Sequence, residues 1–335
     1  MGGKATRTQN FIATERLAQG AFFKSKGHSG HLGAPYRLPP DKRGLNLSDP
    51  ISQAAEDYFR RHGITWHIHA SHGLSSQTCC LNFLMPLATR PDLLSRLVGG
   101  ALKIEPPKML CVEEGAFGEP WFVGFEWIGA KNYLGEWPNT GQPTRGANVT
   151  SADAVVRFNH DGRDETLLIE WKYTERYGAP LADRRSKDGK SGGNLTRALR
   201  YADKVFDPNG PIRADRGLTL EAFFYEPFYQ LLRQQMLAWR MERGLKERVR
   251  VLHISPRGNR DLHDVTSDAF KDFGHADAFE AFKAVLAQPD DGVPRFLNCH
   301  TEDVFGPLLA EMSADPWADY LADRYRFLAT GEGAA

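Results

Sequence analysis

The sequence predicts a mixed α/β protein: a central mixed β-sheet flanked by helices, with extra helices at the N- and C-termini. Three observations carry that prediction. Hydrophobic periodicity through the middle of the chain gives the order helix, strand, strand, strand, helix, strand. Two apolar runs, residues 154–158 and one starting at Thr166, flank the polar, glycine-containing stretch 159–164, which reads as a hairpin turn. Composition is that of an ordinary globular protein, with 41% hydrophobic and 25% charged residues, and 335 residues suffice for one large domain or two modest ones.

The elements follow in order. Residues 14–24 read as a helix, and the Gly/Pro-rich stretch 26–43 as a loop or arm. Ser48 or Asp49 caps a helix that has Pro50 in its first turn and stops before Gly63. Ser75-Ser76-Gln77 opens another, with Cys80, Leu81, Leu84 and Leu87 on its apolar side, and residues 91–98 form a short third. Alternating aromatics give a strand over 119–128, followed by the strands carrying Asp153 and Glu170. Residues 219–243 have helical spacing, with Pro227 at a first turn or kink. A strand over 249–255 ends at Pro256, and helical patterns near 276–287, 301–312 and 316–329 close the chain. The Arg-, Lys-, Ser- and Gly-rich segment 183–193 reads as a mobile loop.

Net formal charge is zero, which excludes a strongly basic DNA-coating protein but not a local basic cleft. Cys79, Cys80, Cys111 and Cys299 offer no paired framework and read as reduced. There is no apolar run of membrane-spanning length and no apolar stretch at the N-terminus, so a cytoplasmic location is expected. A P-loop or helicase signature is not visible, so no ATP-binding motif is expected in this chain.

The chemistry concentrates between residues 153 and 175. Side chains alternate along a strand, so Leu168, Glu170 and Lys172 share one face, while Leu167, Ile169, Trp171 and Tyr173 share the other. Asp153 can reach the same end of the neighbouring strand. A solvated hairpin also carries acids and lysines, but Val155, Val156, Leu167 and Ile169 argue for a central buried strand. There Glu170 and Lys172 need partners or a metal. Two carboxylates and an amine at one sheet end can hold a hard divalent cation and a phosphate oxygen.

Asp153 followed by Glu170-Trp171-Lys172 resembles the core motif of the PD-(D/E)xK nuclease superfamily, the restriction-endonuclease-like fold. Ala152 stands where a proline often precedes the first acid. The blocks Ser75-Ser76-Gln77, Phe125-Glu126-Trp127, Tyr133-Leu134-Gly135-Glu136, Arg145-Gly146-Ala147 and Ile169 to Glu175 resemble a bacterial restriction-endonuclease-like group in that superfamily, over roughly residues 60–255. The resemblance implies a nuclease core over 46–260, an N-terminal arm over 1–45 and a helical C-terminal extension over 261–335. It implies DNA as substrate and Mg²⁺ as cofactor, with Mn²⁺ able to substitute, and it is compatible with a homodimer. Asp153, Glu170 and the Trp171 carbonyl would hold the ion, and Lys172 would orient water or stabilise charge on the phosphate. Glu126, Glu136 and Gln234 are further candidates for the site, with Gln230 one turn from Gln234. Arg176, Arg184, Arg185, Lys187, Lys190, Arg197 and Arg200 form a basic segment that could clamp phosphates.

Two other readings stay open. His67 and His69 would share a strand face, and with His72 could bind zinc, although no complete zinc spacing accompanies them. The chain could also be a catalytically inactive nucleic-acid-binding or scaffold protein that keeps the nuclease fold.

Overall fold

The computed structural model describes residues 10–147, 149–178, 180–181, 193–312 and 314–331. The chain opens with helix α1 (Phe11–Ser25), α2 (Asp49–Arg61), α3 (Ser76–Leu84) and α4 (Pro91–Leu102). Short strands β1 (Lys108–Leu110), β2 (Glu113–Glu114) and β3 (Pro120–Trp121) precede β4 (Val123–Trp127). The long hairpin is β5 (Ala152–His160) and β6 (Arg163–Trp171). Then come α5 (Gly193–Val205), α6 (Phe228–Gly244), β7 (Arg248–Ser255), α7 (Asp268–Lys271), α8 (Ala278–Lys283), β8 (Phe296–His300), α9 (Thr301–Glu311) and α10 (Pro316–Arg324).

Among the described residues, six strands form one mixed sheet in the order β1-β5-β6-β7-β8, with β4 also paired to β5. β5 and β6 are antiparallel, whereas β6, β7 and β8 run parallel. The strand period divides the core between two faces. Ala154, Val156, Leu167, Ile169 and Trp171 pack with α2, α3, α4 and α9. Val155, Leu168, Val249 and Val251 pack under α6 and α8. The sheet is thus covered on both sides, and its central strands are buried along most of their length. Among the described residues no helix is long and apolar enough to cross a membrane.

Several expectations need correction. The single helix over 219–243 is a 3₁₀ turn (Leu220–Phe223) followed by α6, which starts only at Phe228 with Pro227 at its N-cap. The pyrrolidine ring disfavours helical geometry at the preceding residue, so the helical pattern breaks at 226–227. Arg197 and Arg200 lie on α5 rather than on a loop. Arg184, Arg185, Lys187 and Lys190 lie outside the described residues. His67 and His69 sit in a coil and turn, not on a strand. β8 was not anticipated, because Asn298 and His300 interrupt its apolar pattern. The helix near 276–287 shrinks to α8, where the Asp277 side chain accepts from Phe279 N and Glu280 N.

Candidate active site

The register of the β5–β6 hairpin builds the site. Ala154 pairs with Ile169, so one step along the ladder Asp153 stands opposite Glu170, on the face covered by α6. Asp153 Oδ2 accepts the Trp171 amide proton at 2.7 Å. Lys172 lies just past β6, but its amide still donates to Ile254 O of β7 at 2.9 Å. The chain therefore stays extended, and Lys172 keeps the face of Glu170. Lys172 Nζ is 2.5 Å from Glu170 Oε1 and 3.7 Å from Asp153 Oδ2. Glu170 and Lys172 are only 2% and 6% exposed.

From α6, Gln234 Nε2 donates to Glu170 Oε2 at 2.8 Å and to Ser151 O at 2.6 Å. Its Oε1 is buried with no hydrogen-bond partner. Glu126 joins from the other side. It accepts from Gln77 Nε2 at 2.6 Å and from Ser151 Oγ at 3.2 Å, and His67 Nε2 lies 3.6 Å away. Its φ of +48° departs from the strand conformation, a strained choice for a glutamate. Arg145 donates to the Glu126 and Phe125 carbonyls, and its Nη1 to Glu113 Oε1, and so holds this backbone. Gly146 packs against the Glu126 carboxyl, and a Cβ there would come within 3.1 Å of it.

The electrostatics leave this pocket short of positive charge. Burial pushes the Glu170 carboxyl up, the Asp153 charge adds to that, and Lys172 offsets it only in part. Glu126 is raised by burial and then by Asp153. Burial opposes the charge on Lys172, but Glu170 and Asp153 outweigh it and hold the ammonium well above its ordinary range. Two of these carboxyl groups, Glu170 and Asp153, face the one amine, and Glu126 lies beside Asp153. A hard divalent cation fits this donor set: Asp153 and Glu170 offer carboxylate oxygens, and the unpartnered Gln234 Oε1 is a neutral acceptor beside them.

The structure brings together Asp153, Glu170, Lys172, Glu126 and Gln234. Trp171 contributes its amide to Asp153, while its ring packs on Phe83 and Phe305. Glu136 is engaged elsewhere: it accepts from Thr150 N at 2.5 Å, from Thr150 Oγ1 at 2.9 Å and from Tyr201. Gln230 accepts from Tyr177. His67 parts from the other two histidines: it approaches Glu126, whereas the His69 and His72 rings lie 6.0 Å apart and His72 Nδ1 accepts from the Leu74 amide. Among the described residues no group of three or more His, Cys, Asp and Glu side chains is arranged to hold a metal ion, so His67, His69 and His72 do not converge as a ligand set there.

Three participants had no role in the sequence reading: Ser151, Arg145 and His253. His253 pairs in register with Glu170 and is buried, with both ring nitrogens unpartnered. Its signal was a histidine inside the apolar run from Val251 to Ile254. A cleft of about 1130 Å³ runs along β8 and past Trp239, and neither acid of the pair lines it.

No curated protein and no solved structure matches the chain. The family model described as restriction endonuclease associating with ARP matches residues 12–326. With that match spanning nearly the whole sequence, the chain belongs to this restriction endonuclease family.

Proposed function

We propose that the protein is a Mg²⁺-dependent endonuclease that hydrolyses DNA phosphodiester bonds, acting in the cytoplasm in restriction or defence. The observation that carries this reading is the buried meeting of Asp153, Glu170 and Lys172 at one end of β5 and β6, with negative charge in excess. Asp153, Glu170 and the Trp171 carbonyl would hold Mg²⁺, with Mn²⁺ able to replace it. The bound ion would supply charge neutralisation and water activation. Gln234 fixes the Glu170 carboxyl, and the Trp171 amide fixes Asp153, so neither acid has to reorganise. The Lys172 ammonium can donate to a phosphate oxygen or orient the attacking water. Its raised pKa favours that role over general base. Glu126 lies close enough to Asp153 to add to the field of the pocket. The family description also supports ARP as a partner of this chain.

The test is a cleavage screen on supercoiled, linear and single-stranded DNA and on RNA, with Mg²⁺ and with chelator, using Glu170→Ala as control. Mg²⁺-dependent cutting of DNA that disappears in the variant supports the reading. Full activity of Glu170→Ala or Lys172→Ala would overturn it.

A further inference from the structure

Beside the carboxylates lies a cationic and aromatic patch built from two distant segments. Arg16 of α1 and Arg37 lie over the Tyr36 ring, at 5.6 Å and 5.9 Å from its centroid. The His72 ring sits 4.9 Å from Tyr36, and His69 lies 6.0 Å from His72. Arg37 and His72 form a backbone bridge, and Gly73 N donates to Tyr36 O, so the two segments are held together. Burial and the neighbouring Arg37, His69 and Arg16 charges depress His72 to about 4. Both arginines are exposed, and neither forms an ion pair among the described residues. Most arginines near the sheet, such as Arg145, Arg157, Arg248 and Arg295, are neutralised by acids.

Four links fix this patch at the rim of the site. Next to Arg16, Glu15 accepts from Tyr173 Oη. Tyr173 N donates to Ser76 Oγ at 3.1 Å, and Thr174 Oγ1 donates to Leu74 O at 2.9 Å. His67 N donates to Gln77 Oε1 at 2.9 Å, and Gln77 in turn donates to Glu126. The patch is therefore tied to the two residues that follow Lys172 and to the acid beside Asp153.

We propose that Arg16, Tyr36, Arg37 and the loop from His67 to His72 grip the phosphodiester backbone of DNA on one side of the carboxylate site. The inference rests on DNA being the substrate. It places backbone contact in the N-terminal part of the chain, apart from the basic segment after Glu175. A positive surface without counter-charge suits phosphates, and the half-exposed Tyr36 ring, braced by two guanidinium groups, offers a face to a sugar or an unstacked base. Such contacts position the duplex without reading its sequence.

The experiment measures binding of a duplex of about 30 base pairs to full-length Glu170→Ala protein, with and without Arg16→Ala/Arg37→Ala, across a salt series. Loss of two phosphate contacts should weaken binding about tenfold or more and reduce the slope of log K against log salt by about 2. In the cleaving protein, the double variant should raise KM with kcat held within about twofold. Arg240→Ala/Lys246→Ala removes two exposed charges elsewhere and should leave the slope unchanged. Unaltered affinity and slope in Arg16→Ala/Arg37→Ala overturn the rim, whether or not the protein cleaves. A wild-type protein that binds duplex through these arginines without cutting overturns the proposed hydrolysis and leaves the rim standing.

Discussion

Two buried charged clusters in this molecule solve the same problem differently. Arg324 is 1% exposed and forms no ion pair among the described residues. Its guanidinium is nevertheless well hydrogen-bonded: Nε donates to Gln19 Oε1 at 3.0 Å, and Nη1 to Asn46 O at 2.5 Å and to Tyr320 Oη at 2.6 Å. Nη2 donates to Asn46 Oδ1. Neutral dipoles replace water, and the cluster locks α1, the loop before α2 and α10 together. The pocket around Glu170 is as deeply buried, yet it sets Glu170 and Asp153 against one lysine, adds Glu126 beside them and leaves Gln234 Oε1 without a donor. A cluster that only holds the fold closes its polar groups, whereas this one stays open in the sense a cation would complete. Burial alone therefore does not mark a functional charge.

The contrast is broken most directly by exchanging the outcomes of two substitutions. Glu170→Gln should cut DNA cleavage about a thousandfold or more, because it removes a charge that acts in the transition state. Its unfolding midpoint in urea should stay level or rise, since like-charge crowding is relieved. Arg324→Ala should do the reverse. It strands Asn46, Gln19 and Tyr320 and costs about 3–5 kcal/mol in urea unfolding, with the rate per folded molecule unchanged. If Glu170→Gln loses as much stability as Arg324→Ala, the pocket is a structural cluster and the comparison fails.

The next effect sharpens the picture at the structural side. Glu15 is buried, and burial lifts its carboxyl from 4.5 to about 7, partly offset by the Tyr173 hydroxyl and reinforced by Glu302. A carboxyl raised in the folded state contributes stability that is complete below its unfolded value and is lost as pH climbs through the folded one. Stability should therefore fall between about pH 4.5 and about pH 7, and Glu15 accounts for at most about 3 kcal/mol of that fall. Glu126, Glu226 and Glu302 are raised as well and act in the same direction. Glu15→Gln should flatten the curve, as read by chemical denaturation at a series of pH values. An unchanged slope would show that Glu15 ionises normally.

Much of the site was legible because a strand has a period of two. Once the hairpin turn over 159–164 was read, the shared face of Glu170 and Lys172 followed from alternation and Asp153 was expected at the same end of the neighbouring strand, whereas its place opposite Glu170 is set by the register of the ladder. Gln234 was visible only as one of two glutamines on a helix. Which one met Glu170 depended on how α6 lies over the sheet, and no local pattern encodes that. In sequence Glu136 ranked only a little behind Glu126. Tertiary contacts separate them, sending Glu136 to Thr150 and Tyr201, while φ at Glu126 brings that acid to Gln77 and Ser151. α5 escaped because its basic, glycine-led start reads as loop, and β8 because a short strand of mixed polarity has no clear period.

The smallest effect expected is also the one that most sharply separates the two kinds of cluster. If the carboxylate pocket is open in favour of a cation, Mg²⁺ must bind the folded chain better than the unfolded one, and it must raise the melting temperature even without nucleic acid. At about a hundred times its dissociation constant the gain is about 2.7 kcal/mol. Asp153→Ala and Glu170→Ala should lose that increment. Glu136→Ala is the informative control. Its carboxylate anchors the start of β5 through Thr150, so the variant should melt earlier yet keep the Mg²⁺ increment. Thermal denaturation by circular dichroism, with Mg²⁺ titrated against chelator, reads both quantities together. An increment that survives Asp153→Ala would place the ion elsewhere, and an increment lost in Glu136→Ala would mean that the strand start, not the acid pair, governs binding.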